Sequence, residues 1–339
     1  VIFMVKRDNN IDFFRGVATI WIIFIHTCFW SGEVYVPVWL KSLSLIIDVP
    51  VFMFISGMTF NFSNNFFKSI KGLCKIWFKW LLFLILYFAI ILLFDYSHFN
   101  LSTIIRAMFF SFDGNDILFV VRGSLWFIFM FFVVSVIGNL IICLYNKYFK
   151  GLNNFKYVLI IVFMFYGMSL YNSNFQFLSP INLMHLFIYL LGYYLYHFQF
   201  KNTKQFLIIM AILFILFLVL SIFNGYGFLN MQEAKGAAHI NYFVYSLFSI
   251  LIVTLLKDTI CVKNNIFTFV GKNALMFYFC QGIGSSLIYK VYPSIIEFPG
   301  VIKLILMFGL NFCITSLLVV VLIILNNKIR ILKEKILKV

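Results

Sequence analysis

The chain has 339 residues, of which 63% are hydrophobic, 21% aromatic and only 11% charged, with a formal net charge of +15. So apolar a composition excludes an ordinary soluble domain and describes an integral membrane protein. Apolar runs of about 17 to 25 residues, long enough to cross a ~30 Å hydrocarbon core as helices, recur along it, whereas the alternating ten-residue strands of a barrel do not. The expected fold is an all-α integral membrane protein, a bundle of about ten transmembrane helices with both termini cytoplasmic.

In chain order the spans are expected near 13–30, 43–60, 77–94, 125–145, 157–170, 182–198, 205–223, 240–256, 266–289 and 302–325. Lys6 and Arg7 precede the first, but it holds Arg15 and His26 and lacks a small-residue cleavage site. It reads as a retained span and not as a signal peptide. With the N-terminus in the cytoplasm, all but six of the 26 basic residues fall on that side; the six are Lys41, Arg106, Arg122, Lys235, Lys290 and Lys303. The positive charge is therefore an orientation signal and calls for no nucleic acid.

Two outer connections are long, residues 95–124 and 224–239. Within the first, "LSTIIRAMFFSF" (101–112) reads as an amphipathic helix lying along the interface. No internal repeat, linker or appended soluble domain interrupts the chain, so residues 1–339 are expected to form one membrane domain. Cys28, Cys74, Cys143, Cys261, Cys280 and Cys313 include no CxxC pair and read as buried thiols, not disulfides or metal ligands.

The first span carries the chemistry. At 100° per residue, the eleven steps from Arg15 to His26 return to within about 20° of one face, roughly 16 Å further along. Asp12 and Thr19 fall on the same stripe. Ionisable groups in a span are costly and usually face a partner or a water-filled cavity, so a functional site is the default reading; the plainer one is that Asp12 and Arg15 simply pair. Histidine at depth exchanges a proton, or accepts an acyl group, near neutral pH.

The second span, "IIDVPVFMFISGMTF", adds Asp48 as another buried carboxylate, Pro50 as an expected kink, and Ser56-Gly57 as a place for close helix approach. Beyond it, Lys68, Lys71, Lys75 and Lys79 share one helical flank, as anchors on the positive side or as phosphate contacts.

"NNIDFFRGVATIWIIFIHT" followed by "VPVFMFISGM" resembles the start of the acyltransferase-3 family of bacterial membrane acyltransferases. That family pairs an arginine and a histidine with ten residues between them, as Arg15 and His26 have, and follows them with a proline-phenylalanine-rich segment ending in Ser-Gly. "GSLWFIFMFF" (123–132) resembles its tryptophan-containing segment and gives Trp126, and "FVGKNALMFYFCQGI" (269–283) its late Gly-Lys segment. There Gln281 stands where many members have histidine, and Ala274 where serine is common.

The resemblance implies transfer of an acyl group, usually acetyl, from cytoplasmic acetyl-CoA to a hydroxyl of a surface glycan, in the bacterial cytoplasmic membrane. It implies His26 as general base or transient acetyl acceptor and Arg15 with Lys68, Lys71 and Lys75 as contacts for the coenzyme's phosphates. Asp12 would position Arg15, and Asp48 would support His26 from the second span, with Ser56 nearby. Asp113, Asp116, Arg122 and Trp126 would meet the acceptor on the outer side. Since no further domain follows the tenth span in this sequence, the membrane domain would complete the transfer. No metal is implied, and nothing bears on the oligomeric state. The competing class is a transporter or flippase of a glycan or small anionic solute, which would also carry buried charges but would typically show internal repeats.

Overall fold

A computed structural model describes residues 8–32, 35–63, 65–94, 100–111, 116–149, 151–171, 179–200 and 202–336. Among them the regular structure is helical, with no strand. The helices are α1 (Asn9–Trp30), α2 (Val38–Ser44), α3 (Val49–Ser63), α4 (Phe66–Phe94), α5 (Leu101–Met108), α6 (Phe119–Ser124), α7 (Trp126–Tyr148) and α8 (Phe155–Tyr171). They continue as α9 (Pro180–Leu195), α10 (Thr203–Asn224), α11 (Met231–Gly236), α12 (Ile240–Leu256), α13 (Ile266–Lys272), α14 (Ala274–Val291) and α15 (Gly300–Ile336).

Every expected span falls on helical backbone, but several are not single straight helices. Among the described residues seven helical stretches are long and apolar enough to cross a membrane: α1, α2 with α3, α4, α6 with α7, α8 with its preceding turn, α10 and α15. An eighth is counted if α12 and the segment before it, bent by 108°, are one span. The remaining expected spans are α9, short at 16 residues, and the α13–α14 pair, interrupted at Asn273.

Pro50 does not kink α3. The chain breaks earlier, between Ser44 and Val49, and Pro50 sits in the first turn of α3, where a missing N–H needs no partner. Asp48 opens that helix by accepting the Val49 N–H at 2.7 Å.

The described chain divides into two compact units, each assembled from separate stretches. The first comprises residues 1–21, 37–70 and 130–272; the second comprises 22–36, 71–129 and 273–339.

In the first unit α3 packs against α9, α8 against α9, and α10 against α12. Gly57 and Gly192 make the first of these contacts possible. A Cβ on Gly57 would lie 1.8 Å from the Tyr189 carbonyl oxygen, and one on Gly192 2.0 Å from that of Phe54. Small residues let backbones approach where lipid supplies no hydrophobic drive for helices to associate.

In the second unit α14 packs on α15 and α6. Here α5 is amphipathic, as its sequence pattern leads one to expect, and its last turn meets the middle of α4. The α4 end stands beside the α14 end, with Lys290 Nζ 5.5 Å from the Phe94 ring, and Phe119, which opens α6, meets Tyr289 with ring centroids 5.0 Å apart. Between these two points the chain reaches Trp80, some 21 Å back along α4 by helical rise. The Trp80 and Trp77 indoles donate to the carbonyls of Ala107 and Met108 at 3.0 and 3.1 Å, satisfying the last turn of α5. Phe110 and Phe279 both pack on Trp80.

Candidate functional site

The Arg15 end of α1 lies in the first unit. Gly16 and Gly271 bring α13 against it: a Cβ at Gly16 would stand 1.9 Å from the Phe267 carbonyl oxygen, and one at Gly271 1.7 Å from that of Asp12. Asn10 ties the start of α1 to the chain after α12, donating to the Lys257 carbonyl at 3.1 Å and accepting from the Val262 N–H at 3.0 Å. Asp12 is buried, and Arg15 Nη1 lies 3.5 Å from its Oδ1 while the arginine side chain keeps 22% of its surface exposed. The carboxylate thus holds the guanidinium without enclosing it. Thr19, expected on the stripe, turns its hydroxyl back to donate to the Arg15 carbonyl at 2.7 Å.

Lys68, Lys71 and Lys75 are all exposed along the first turns of α4, whose start Asn65 caps by accepting the Lys68 N–H at 3.0 Å. Ser56 is half-buried beside Gly57, the close-approach residue on α3.

Asp48, expected as support for His26, has its oxygens engaged within its own unit. Its Oδ2 accepts from Lys235 Nζ at 2.7 Å and from the Tyr242 hydroxyl at 2.7 Å, and its Oδ1 from Val49. Lys235 comes from α11, inside the 224–239 connection, so part of that connection is a structural arm reaching a buried carboxylate. His185, which sequence reasoning passed over, is also buried in this unit, its Nδ1 2.6 Å from the Ile181 carbonyl.

The His26 end of the same helix lies in the second unit. His26 Nε2 is 3.4 Å from Gln281 Nε2 on α14. Gln281 is fully buried, and its Oε1 has no hydrogen-bond partner among the described residues. Next to this pair runs a polar seam. Asn311 of α15 donates to Thr27 at 3.1 Å and to Ser285 at 3.0 Å, and Thr315 donates to Asn311 Oδ1 at 3.3 Å. Gln281 and Ser285 are one turn apart, as are Asn311 and Thr315. Those spacings within apolar helices were the sequence signal for this seam.

One turn beyond His26, Trp30 is exposed and packs edge-to-face with Phe119, ring centroids 6.4 Å apart. Arg122 and Trp126 are exposed on α6 and α7. Asp113 lies outside the described residues, as does the side chain of Asp116. After α1, Lys303 Nζ sits 5.4 Å from the Tyr35 ring and 5.8 Å from that of Tyr292, and donates to the Ile296 carbonyl at 3.0 Å. Burial pushes the Tyr35 hydroxyl above its ordinary pKa, against the lowering effect of its hydrogen bond with Ser31.

The six cysteines are free thiols, of which only Cys28 and Cys280 are buried; Cys143 is half-buried, and Cys74, Cys261 and Cys313 are exposed. A thiol on a lipid-facing helix surface satisfies an apolar sequence pattern as well as a buried one does.

Helical throughout its described residues, with this many long apolar helices and an arginine and a histidine on one of them, the chain is a multi-pass membrane protein. It matches the family model of the acyltransferase-3 group, described as an acyltransferase domain, over residues 8–325, and it belongs to that family. No curated protein and no solved structure matches the chain.

Proposed function

We propose that this acyltransferase moves an acetyl group from cytoplasmic acetyl-CoA to a hydroxyl of a cell-surface polysaccharide or its lipid-linked precursor. It would act in the bacterial cytoplasmic membrane, with about ten spans and both termini on the cytoplasmic side. The observation that carries the reading is the family match together with α1 itself, one uninterrupted helix bearing Arg15 and His26 eleven residues apart.

Arg15 and the exposed Lys68, Lys71 and Lys75 meet the coenzyme's phosphates. A planar guanidinium suits this because it stays charged when partly buried and binds phosphate in a fixed fork. The thioester reaches His26. In direct transfer, His26 takes the proton of the acceptor hydroxyl as its oxygen bonds to the thioester carbon, the C–S bond breaks, and the proton passes to the departing sulfur. In the relayed form, the imidazole takes the acetyl group first and yields it to the hydroxyl. Asp113, Arg122 and Trp126 provide carboxylate, cation and aromatic face for a sugar.

The test is release of free CoA from acetyl-CoA by the protein in nanodiscs, with acceptor glycan supplied. His26→Ala is expected to lower turnover by about 10²- to 10⁴-fold, the contribution of a positioned acid–base group. Wild-type protein that neither binds nor consumes acetyl-CoA would overturn the reading in favour of transport.

A further inference from the structure

Gln281 is a buried polar side chain to which the proposed transfer gives no role. Its amide has a donor end and an acceptor end, both inside a fully buried residue of α14. Burying an amide is costly unless its bonds are made. One end faces His26 Nε2 at 3.4 Å, while the other, Oε1, is buried with no partner among the described residues. The neighbouring seam spends its amide elsewhere: Asn311 Nδ2 donates to Thr27 and Ser285, and Thr27 donates to the Ile23 carbonyl. An amide placed for packing alone would carry that cost for no return.

We infer that Gln281 is the positioning residue for His26, and that its two-ended amide serves the imidazole in both charge states of the transfer. The inference rests on the acyl-transfer reading and names the partner of its base. With neutral His26, the amide N–H donates to the Nε2 lone pair, which sets the ring proton on Nδ1 and fixes the plane of the ring. The 3.4 Å separation is long for a hydrogen bond, so the acceptor hydroxyl competes for Nε2 readily. As that hydroxyl's oxygen bonds to the thioester carbon, its proton moves to Nε2, which becomes a donor. A half turn of the amide about its last torsion then presents Oε1 to it. When the C–S bond has broken, the proton leaves Nε2 for the sulfur and the amide returns. No other reactant is needed. A carboxylate at this position would hold only the imidazolium, and an aliphatic side chain would hold neither form.

The test uses the full chain in nanodiscs, with turnover of acetyl-CoA measured beside NMR of the five histidines labelled with ¹⁵N. Gln281→Met, close to glutamine in volume, is expected to lower kcat by about a hundredfold, the lower end of what a positioned base contributes. KM for acetyl-CoA should change by less than about threefold. The ¹⁵N shifts of His26 should report the Nδ1–H tautomer in wild type and a mixture of tautomers in the methionine variant. Gln281→Glu should raise the His26 titration midpoint and the acid limb of kcat/KM by the same amount. A methionine variant with wild-type kcat and an unchanged His26 tautomer would overturn the inference. The two readings fail separately: wild type that does not turn over acetyl-CoA sinks the acyl-transfer reading, while the tautomer comparison still decides whether Gln281 positions His26.

Discussion

Two buried polar centres, one in each unit, are built in opposite ways. Around Asp48 the first unit supplies an ammonium, a phenol and a backbone N–H, all at 2.7 Å. Around His26 the second unit supplies a long 3.4 Å contact from an amide whose far end is left over. A charge surrounded by short bonds from several elements is held, and it holds those elements in turn. The Gln281 amide, by contrast, keeps its acceptor end unused among the described residues. On the proposed reading this difference separates a structural ion pair from a reactive centre, although both look alike as ionisable residues in apolar sequence.

The sharpest way to break this contrast is to exchange the readouts. Asp48→Ala leaves the half-buried Lys235 without its carboxylate and Tyr242 without its acceptor, and should destabilise the protein by about 2–4 kcal/mol. Thermal or denaturant unfolding in detergent measures it. The double variant Asp48→Asn, Lys235→Met should recover about half of that loss, because removing both charges is less costly than removing one. His26→Ala should lose turnover while its unfolding midpoint stays within a degree or two of wild type, about what a half-buried substitution costs. An Asp48 variant that melts normally but is inactive would dissolve the distinction.

Next in size is the joint at Gly271. Its Cβ would meet the Asp12 carbonyl oxygen at 1.7 Å, so Gly271→Ala should cost about 1–3 kcal/mol and displace the Arg15 end of α1. The same unfolding assay, run beside acetyl-CoA binding, shows whether the first unit's packing serves the coenzyme. Arg15→Lys keeps the charge but loses the fork, and should raise KM for acetyl-CoA by about tenfold with a smaller change in kcat. A fall in kcat alone would move Arg15 from binding to chemistry. The smallest effect belongs to Trp80→Phe, which removes the indole N–H from the Ala107 carbonyl and should cost about 1–2 kcal/mol.

How far the sequence could be read depended on the range of the interaction involved. The stripe on α1 was legible because helical periodicity is local, and the Asp12–Arg15 contact three residues apart follows from it. The helical segments were legible for the same reason. Asp48 and Lys235 were each visible as charges out of place, but nothing in periodicity says that a residue 187 positions later turns inward on a six-residue helix. Gln281 was visible as a polar residue in a span, yet a helical wheel gives the face it occupies and not the neighbour that face meets. Pro50 misled because proline breaks a helix interior but suits a first turn, and the break upstream of Val49 carried no strong signal. The 108° bend before α12 left fainter traces: Ala238 at φ +49° and His239, whose ring nitrogen accepts the Asn241 N–H at 3.4 Å.

The stretch between α4 and α6 is fastened at both of its ends to one place. Phe94, the last residue of α4, lies beside Lys290, and Phe119, the first of α6, meets Tyr289, so neighbouring residues of α14 receive both. Between them the Trp77 and Trp80 indoles receive the end of α5. Substitutions between these anchors are absorbed locally, whereas substitutions at them are felt by α14 and α4 together.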